Sequence, residues 1–238
     1  MEDVSLTTNG VLLAPNAQRI FDAGIRRINI SLDSLDRKKY AEITGYDQFE
    51  RVWEGIMRAR NIGFSPIKIN VVAMRGINED EVIDFGRLSV DHPFHIRFIE
   101  YMPIGNSRTR SRDQLLTPEI QQMIAPLGEL IPVGSGRNDG PAKRYHIPGA
   151  QGEIGFISAL SHHFCSRCNR LRLTADGKLR ACLLSDHHEP LKDVLRNSGS
   201  DNQLAEIIRL AVQQKAAKHP LCPHGETTVN GQMQGIGG

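Results

Sequence analysis

Three of the four cysteines fall within residues 164–182, at Cys165, Cys168 and Cys182. The C-x-x-C spacing of the first two lets both thiolates reach one metal centre. Asp176-Gly177 predicts a two-residue type I′ hairpin, a turn that needs positive φ at both central positions. Such a turn sets Ala175 against Lys178 and Cys182 against Leu171, so the third cysteine returns to the pair. Strand alternation puts Leu171 and Leu173 on one side and Arg170, Arg172 and Thr174 on the other. Two guanidinium groups beside three thiolates suggest a pocket for an anion such as a phosphate.

Blander readings compete. The C-x-x-C pair suits a redox couple, and three cysteines can be unliganded core residues. Zinc is a rival metal, with Cys222, His162, His163 or His224 as fourth ligand. Spacing alone favours neither metal. The lack of an obvious fourth thiolate leans to iron–sulfur. Structural zinc is usually closed by four protein ligands, whereas a three-cysteine cluster leaves one iron open to substrate. Cys222, among prolines, reads as incidental, and His162, His163, His187 and His188 read as surface residues.

The 238 residues suffice for one large domain or a domain with an appendage. A net charge of +2 without a long run of one sign gives no nucleic-acid footprint. No apolar run reaches membrane-spanning length, and the first residues lack the pattern of a signal peptide. Clustered cysteines point to a metal site in a reducing compartment, hence the cytoplasm, rather than to a secreted disulfide framework.

Strands and helices must position these groups. Residues 1–102 alternate between the two, with strands at 4–8, 27–32, 67–72 and 95–100 and helices at 15–23, 48–62 and 79–89. That alternation predicts an α/β fold with a parallel sheet. The strands depart from a continuous apolar pattern. Ser5, Thr7 and Asn9 share one parity, as do Asn29, Ser31 and Asp33, and Lys68 and Asn70. One sheet face is therefore polar. In a barrel-like sheet that face is the lumen, where ligands bind near the strands' C-terminal ends. A lysine flanked by isoleucines is costly there without a partner. Residues 103–160 are rich in Gly, Pro, Arg and Ser, with a helix at 118–124 and a strand at 154–157. A last amphipathic helix spans 201–217, with Leu204, Ile207, Ile208, Ala211 and Val212 on one face.

Cys165-Ser166-Arg167-Cys168-Asn169-Arg170-Leu171-Arg172-Leu173 with Cys182 resembles a motif of the radical-SAM GTP 3',8-cyclase family of molybdenum-cofactor biosynthesis. The likeness extends to Thr7-Thr8-Asn9-Gly10, to Ile30-Ser31-Leu32-Asp33-Ser34-Leu35-Asp36 and to Lys68-Ile69-Asn70. It continues through Arg97-Phe98-Ile99-Glu100-Tyr101-Met102, Asp139-Gly140-Pro141-Ala142 and Gly237-Gly238. These motifs run in order along nearly the whole chain. Each is weak alone, and the set is specific.

The resemblance implies a lyase that converts GTP to 3',8-cyclo-7,8-dihydroguanosine 5'-triphosphate by S-adenosylmethionine (SAM) radical chemistry. It implies a partial radical-SAM (β/α) barrel over residues 1–102 and a C-terminal 4Fe-4S and GTP-binding region over 103–238. Cys165, Cys168 and Cys182 would hold a 4Fe-4S cluster whose open iron contacts guanine. Thr7, Lys68, Arg170 and Arg172 match GTP-binding positions, Ser31 and Met102 match SAM-contacting positions, and Gly237 and Gly238 match a tail that enters the active site. The family also suggests a homodimer and a downstream cyclic pyranopterin monophosphate synthase. The family's SAM-cluster loop, C-x-x-x-C-x-x-C, and its Gly-Gly-Glu-Pro motif do not occur here. The expectation is a chain that starts at the third barrel strand, carries no identifiable catalytic residue and is inactive alone. Two alternatives are a non-catalytic zinc- or iron–sulfur-binding module and another radical-SAM enzyme with an auxiliary cluster.

Overall fold

The computed structural model describes residues 3–105, 113–134, 136, 140–162, 164–216, 229 and 235. Cys222, His163, His224, Asp139, Gly237 and Gly238 lie outside the described residues. The chain divides into two compact units, residues 1–101 with 113–158, and residues 102–112 with 159–238.

The first unit is a mixed α/β structure built on a mostly parallel sheet. Strands β1 (Ser5–Thr8), β2 (Arg27–Ser31), β3 (Ile67–Ala73) and β4 (Phe94–Glu100) lie side by side in parallel. Beyond β4 the sheet runs on through an antiparallel pair, β5 (Ile131–Val133) and β6 (Lys143–His146), and through β7 (Glu153–Ile157). β7 is parallel to β4 and antiparallel to β6, so the order is β1-β2-β3-β4-β7-β6-β5. Residues 113–158 therefore complete the sheet that 1–101 begin. The connections are α1 (Leu13–Asp22), α2 (Arg37–Thr44), α3 (Phe49–Ile62), α4 (Val82–Asp91) and α5 (Thr117–Ile124).

One sheet face is the core. Ile28, Ile30, Ile69, Phe94, Ile96, Phe98 and Phe156 are fully buried against Val52, Ile56, Phe85 and Ile120 of the helices. Each such side chain contributes roughly 1.5–3 kcal/mol relative to exposure. Two features escaped the sequence pattern. α2 buries only Tyr40, so it has no apolar stripe to reveal it. It starts because the Asp36 carboxylate accepts from Lys39 N at 2.8 Å, and it ends at Gly45 with φ +78°. β5 and β6 lie in a Gly- and Pro-rich stretch that reads as loop, and Ile131 is exposed.

The second unit holds a small antiparallel sheet of β8 (Arg172–Leu173), β9 (Lys178–Arg180) and β10 (Glu189–Pro190). Helices α6 (Leu191–Arg196) and α7 (Asp201–Gln213) follow. Ser200 caps α7 through a reciprocal capping box with Gln203. α7 stops at Gln213 rather than running to 217, and on its apolar side Ala211 is buried while Ile208 and Val212 are exposed.

The hairpin departs from the type I′ expectation. Arg172 pairs with Arg180 and Leu173 with Leu179. Thr174 closes on Lys178, giving its N–H to the Lys178 carbonyl at 2.9 Å and accepting the Lys178 N–H on Oγ1 at 2.9 Å. The loop thus has three residues, Ala175 to Gly177, and Gly177 alone among them has positive φ, +85°. The Thr174 hydroxyl also bonds Asp176, which stabilises this wider loop. Extended past the strand ends, the register sets Cys182 against Arg170 rather than Leu171. The alternation itself holds, since Leu171 and Leu173 are exposed and Thr174 is buried.

Among the described residues no helix is long and apolar enough to cross a membrane.

Candidate functional site

In the first unit the polar face is continuous across the sheet. Thr7, Asn29, Lys68, His95 and Glu153 occupy successive register positions on β1, β2, β3, β4 and β7. One step along lie Ser31, Asn70, Arg97, Gly155 and Arg144. Asn29 Nδ2 donates to Thr7 Oγ1 at 3.2 Å, and Arg97 Nη1 donates to Asn29 Oδ1 at 3.3 Å. Glu153 Oε2 lies 3.4 Å from His95 Nδ1 and 3.3 Å from Arg144 Nη1. Lys68 and Arg97 are buried, at 6% and 9% exposure. Thr7 and Lys68 are thus brought onto one face, with Ser31 at the exposed end of β2.

The strand ends behind this face are fixed from the α4 side. Asn78 Nδ2 donates to the carbonyls of Asp33, at 2.7 Å, and Val72, at 2.9 Å, while its Oδ1 accepts from Met74 N at 2.8 Å. Glu81 Oε1 accepts from Ser34 Oγ at 3.1 Å, Leu35 N at 2.8 Å and Asp36 N at 3.0 Å. The Asp33 carboxyl accepts from Val72 N at 2.8 Å. Burial pushes its pKa up to about 6, and that one hydrogen bond offsets only part of the rise.

The second unit sets Cys168 among cations. Cys165 opens a 3₁₀ turn that ends with Cys168 N donating to Cys165 O at 3.1 Å. Cys165, Cys168 and Cys182 are free and half-buried. Burial raises the Cys168 thiol, but hydrogen bonds from the Arg170 main chain and side chain, then the charges of Arg170 and Lys215, outweigh it and lower the pKa. Lys215 Nζ lies 3.4 Å from Cys168 Sγ and donates to Arg170 O at 2.8 Å. The Arg170 guanidinium stacks over Phe164 at 4.9 Å. Burial and neighbouring Arg170 lower the Arg172 pKa, Cys182 and Cys168 pull it back in part, and Arg180 lowers it further. Met102 is half-buried in the same unit.

Two comparisons bear on this arrangement. The Radical SAM superfamily matches residues 1–88, and the Molybdenum Cofactor Synthesis C family matches residues 94–221. The GTP 3',8-cyclase of Moorella thermoacetica is 45% identical over 219 residues, covering 92% of this chain and 68% of that protein. The chain belongs to the GTP 3',8-cyclase family. The cyclase of Heliobacterium modesticaldum is 46% identical over the full chain and 73% of its own length, and that of a Nostoc strain is 47% identical over 87% of the chain and 65% of its own length. The resemblance read from the motifs is borne out at the level of the family.

Three cysteine thiols are the donor type that an iron–sulfur cluster takes. Among the described residues no three His, Cys, Asp or Glu side chains are grouped to hold a single metal ion, and exposed His162 instead lies 3.2 Å from Ser161 Oγ. A cation such as Lys215, 3.4 Å from Cys168 Sγ, would complement an anionic cluster. Sequence reasoning put Asn29 on the polar face and Arg97 in a motif without giving either a role, and did not single out Asn78, Glu81 or Lys215. Asn29 carried a signal through its shared parity with Ser31. Lys215 carried none, because the chain folds back over a long separation to reach Cys168.

Proposed function

We propose that this chain is the GTP- and cluster-binding part of a cytoplasmic GTP 3',8-cyclase, a lyase of molybdenum-cofactor biosynthesis. Its sheet is read as part of a (β/α) barrel up to residue 102, and residues 103–238 as the iron–sulfur region. The thiols of Cys165, Cys168 and Cys182 would hold a 4Fe-4S cluster. Thr7 and Lys68 in the first unit, and Arg170 and Arg172 in the second, would bind GTP. Ser31 and Met102 would contact SAM, and Gly237 and Gly238 belong to the reading as a tail that enters the site. A homodimer and delivery of product to cyclic pyranopterin monophosphate synthase complete it.

SAM, held by Ser31 and Met102, would supply the radical chemistry of the family when bound. The chain's own residues bind, orient and exclude water. Arginine and lysine offer charge-assisted hydrogen bonds to phosphate oxygens, and alignment of the ribose with the guanine brings the reacting carbons together. What supports the reading is that one ammonium, Lys215 Nζ, lies 3.4 Å from Cys168 Sγ and donates to Arg170 O at 2.8 Å, in a chain of this family.

The sequence holds no three-cysteine set besides Cys165, Cys168 and Cys182. The 238-residue polypeptide alone is therefore expected to bind GTP and one cluster without turnover. Incubation with SAM, reductant and GTP tests this, and cyclic product would refute inactivity. Calorimetric titration with GTP tests the site itself. Lys68→Ala should weaken binding with iron content unchanged, and unaltered affinity would remove Lys68 from the site.

A further inference from the structure

Lys215 lies just beyond α7, 47 residues from Cys168 in sequence. A lysine after a helix commonly serves the helix's own last carbonyls. Lys215 reaches elsewhere: its Nζ donates to Arg170 O at 2.8 Å and lies 3.4 Å from Cys168 Sγ. One half-buried ammonium thus joins a candidate cluster ligand to the main chain of a candidate GTP-binding arginine. Among the described residues these two contacts, neither of them to a carboxylate, are the ones Lys215 Nζ makes.

We infer that Lys215 is a positioning residue of the cluster site, holding the Cys168 sulfur against the Arg170 main chain and raising the reduction potential of the cluster bound there. The inference rests on the cluster reading above. Its physics is simple. Reduction adds an electron to the cluster and charge to its sulfurs, and a nearby ammonium that hydrogen-bonds one sulfur stabilises the reduced state more than the oxidised one. The hold on the Arg170 carbonyl fixes where that side chain starts. The segment that follows α7 thereby takes part in a site made by a distant hairpin.

The test is the midpoint potential of the reconstituted cluster, followed by electron paramagnetic resonance in wild type, Lys215→Met, Lys215→Gln and Lys215→Arg. Iron and sulfide are counted first. A wild-type chain without an iron–sulfur cluster would sink the cluster reading itself. With a cluster present, the expected result is a more negative potential in Lys215→Met, a smaller shift in Lys215→Gln and a near wild-type value in Lys215→Arg. Equal potentials in all four proteins would overturn the inference while leaving the cluster reading intact. If Lys215→Met is misfolded by circular dichroism, the Gln and Arg variants decide by the same criterion. If it folds but holds no cluster, retention by Lys215→Arg supports the positioning role, and loss in both overturns it.

Discussion

Arg172 stands opposite Arg180 across the β8–β9 pair. Like charges in that position are ordinarily destabilising. Arg180 is buried and turned to its own loop, where its guanidinium donates to Ser185 O and lies 3.6 Å from Asp186 Oδ1. The Arg172 pKa is lowered by burial first and by Arg170 next, with Cys182 and Cys168 offsetting part of the fall. On the proposed function this guanidinium is one that binds GTP. Arg172→Ala should weaken GTP binding ~10- to 100-fold, the range for losing one charge-assisted contact, with little change in urea stability. Calorimetry with denaturation checks both, and an unchanged affinity would exclude Arg172 from the GTP site.

Gly177 carries the tightest demand in the hairpin. A Cβ there would fall 2.4 Å from Lys192 Cβ, and φ is +85°. Lys192 cannot step aside freely, because its N–H donates to Gly177 O at 2.9 Å. Gly177→Ala should therefore cost about 1–3 kcal/mol through strain and overpacking together. Thermal unfolding of the variant measures the loss, and wild-type stability would show that the loop yields.

The parallel sheet was legible because β1 to β4 alternate with helices whose apolar spacing is strong, and the polar parity of Thr7, Asn29, Ser31 and Lys68 already marked one face. The hairpin register was not, because Asp176-Gly177 suits two turn lengths and the Thr174 hydroxyl decides between them. β5 and β6 escaped because pairing, not composition, makes them strands. Local pattern named Cys165, Cys168 and Cys182. It could not reveal Lys215 beside Cys168, a contact made only by the tertiary fold.

Asp33 gives the first unit a testable pH dependence. Burial holds its pKa at about 6, above the ordinary 3.8. Between those values the unfolded chain ionises while the native carboxyl keeps its proton, so this group's contribution falls as pH rises and is flat above about 6. Asp33→Asn keeps an acceptor for Val72 N and removes the titration. The stability of wild type relative to the variant should decline from pH 4 to 6 in denaturant titrations. A constant difference across that window would contradict the assignment.

Glu81 fixes the segment that leaves β2 after Ser31. Its Oε1 accepts the N–H groups of both Leu35 and Asp36, and its Oε2 lies 3.2 Å from Lys39 Nζ. Glu81→Ala leaves part-buried donors unpaired and should destabilise by about 2–5 kcal/mol. Glu81→Gln retains an acceptor and should cost less. Equal small losses in the two variants would mean that the segment is held by other contacts.

The central claim is that Cys165, Cys168 and Cys182 hold one iron–sulfur cluster. Iron, zinc and acid-labile sulfide per chain, measured on anaerobically purified and reconstituted protein, test it most directly. The account predicts about four irons with matching sulfide in wild type, and loss of the cluster in Cys182→Ala. Stoichiometric zinc without sulfide, or full iron retained in Cys182→Ala, would contradict it.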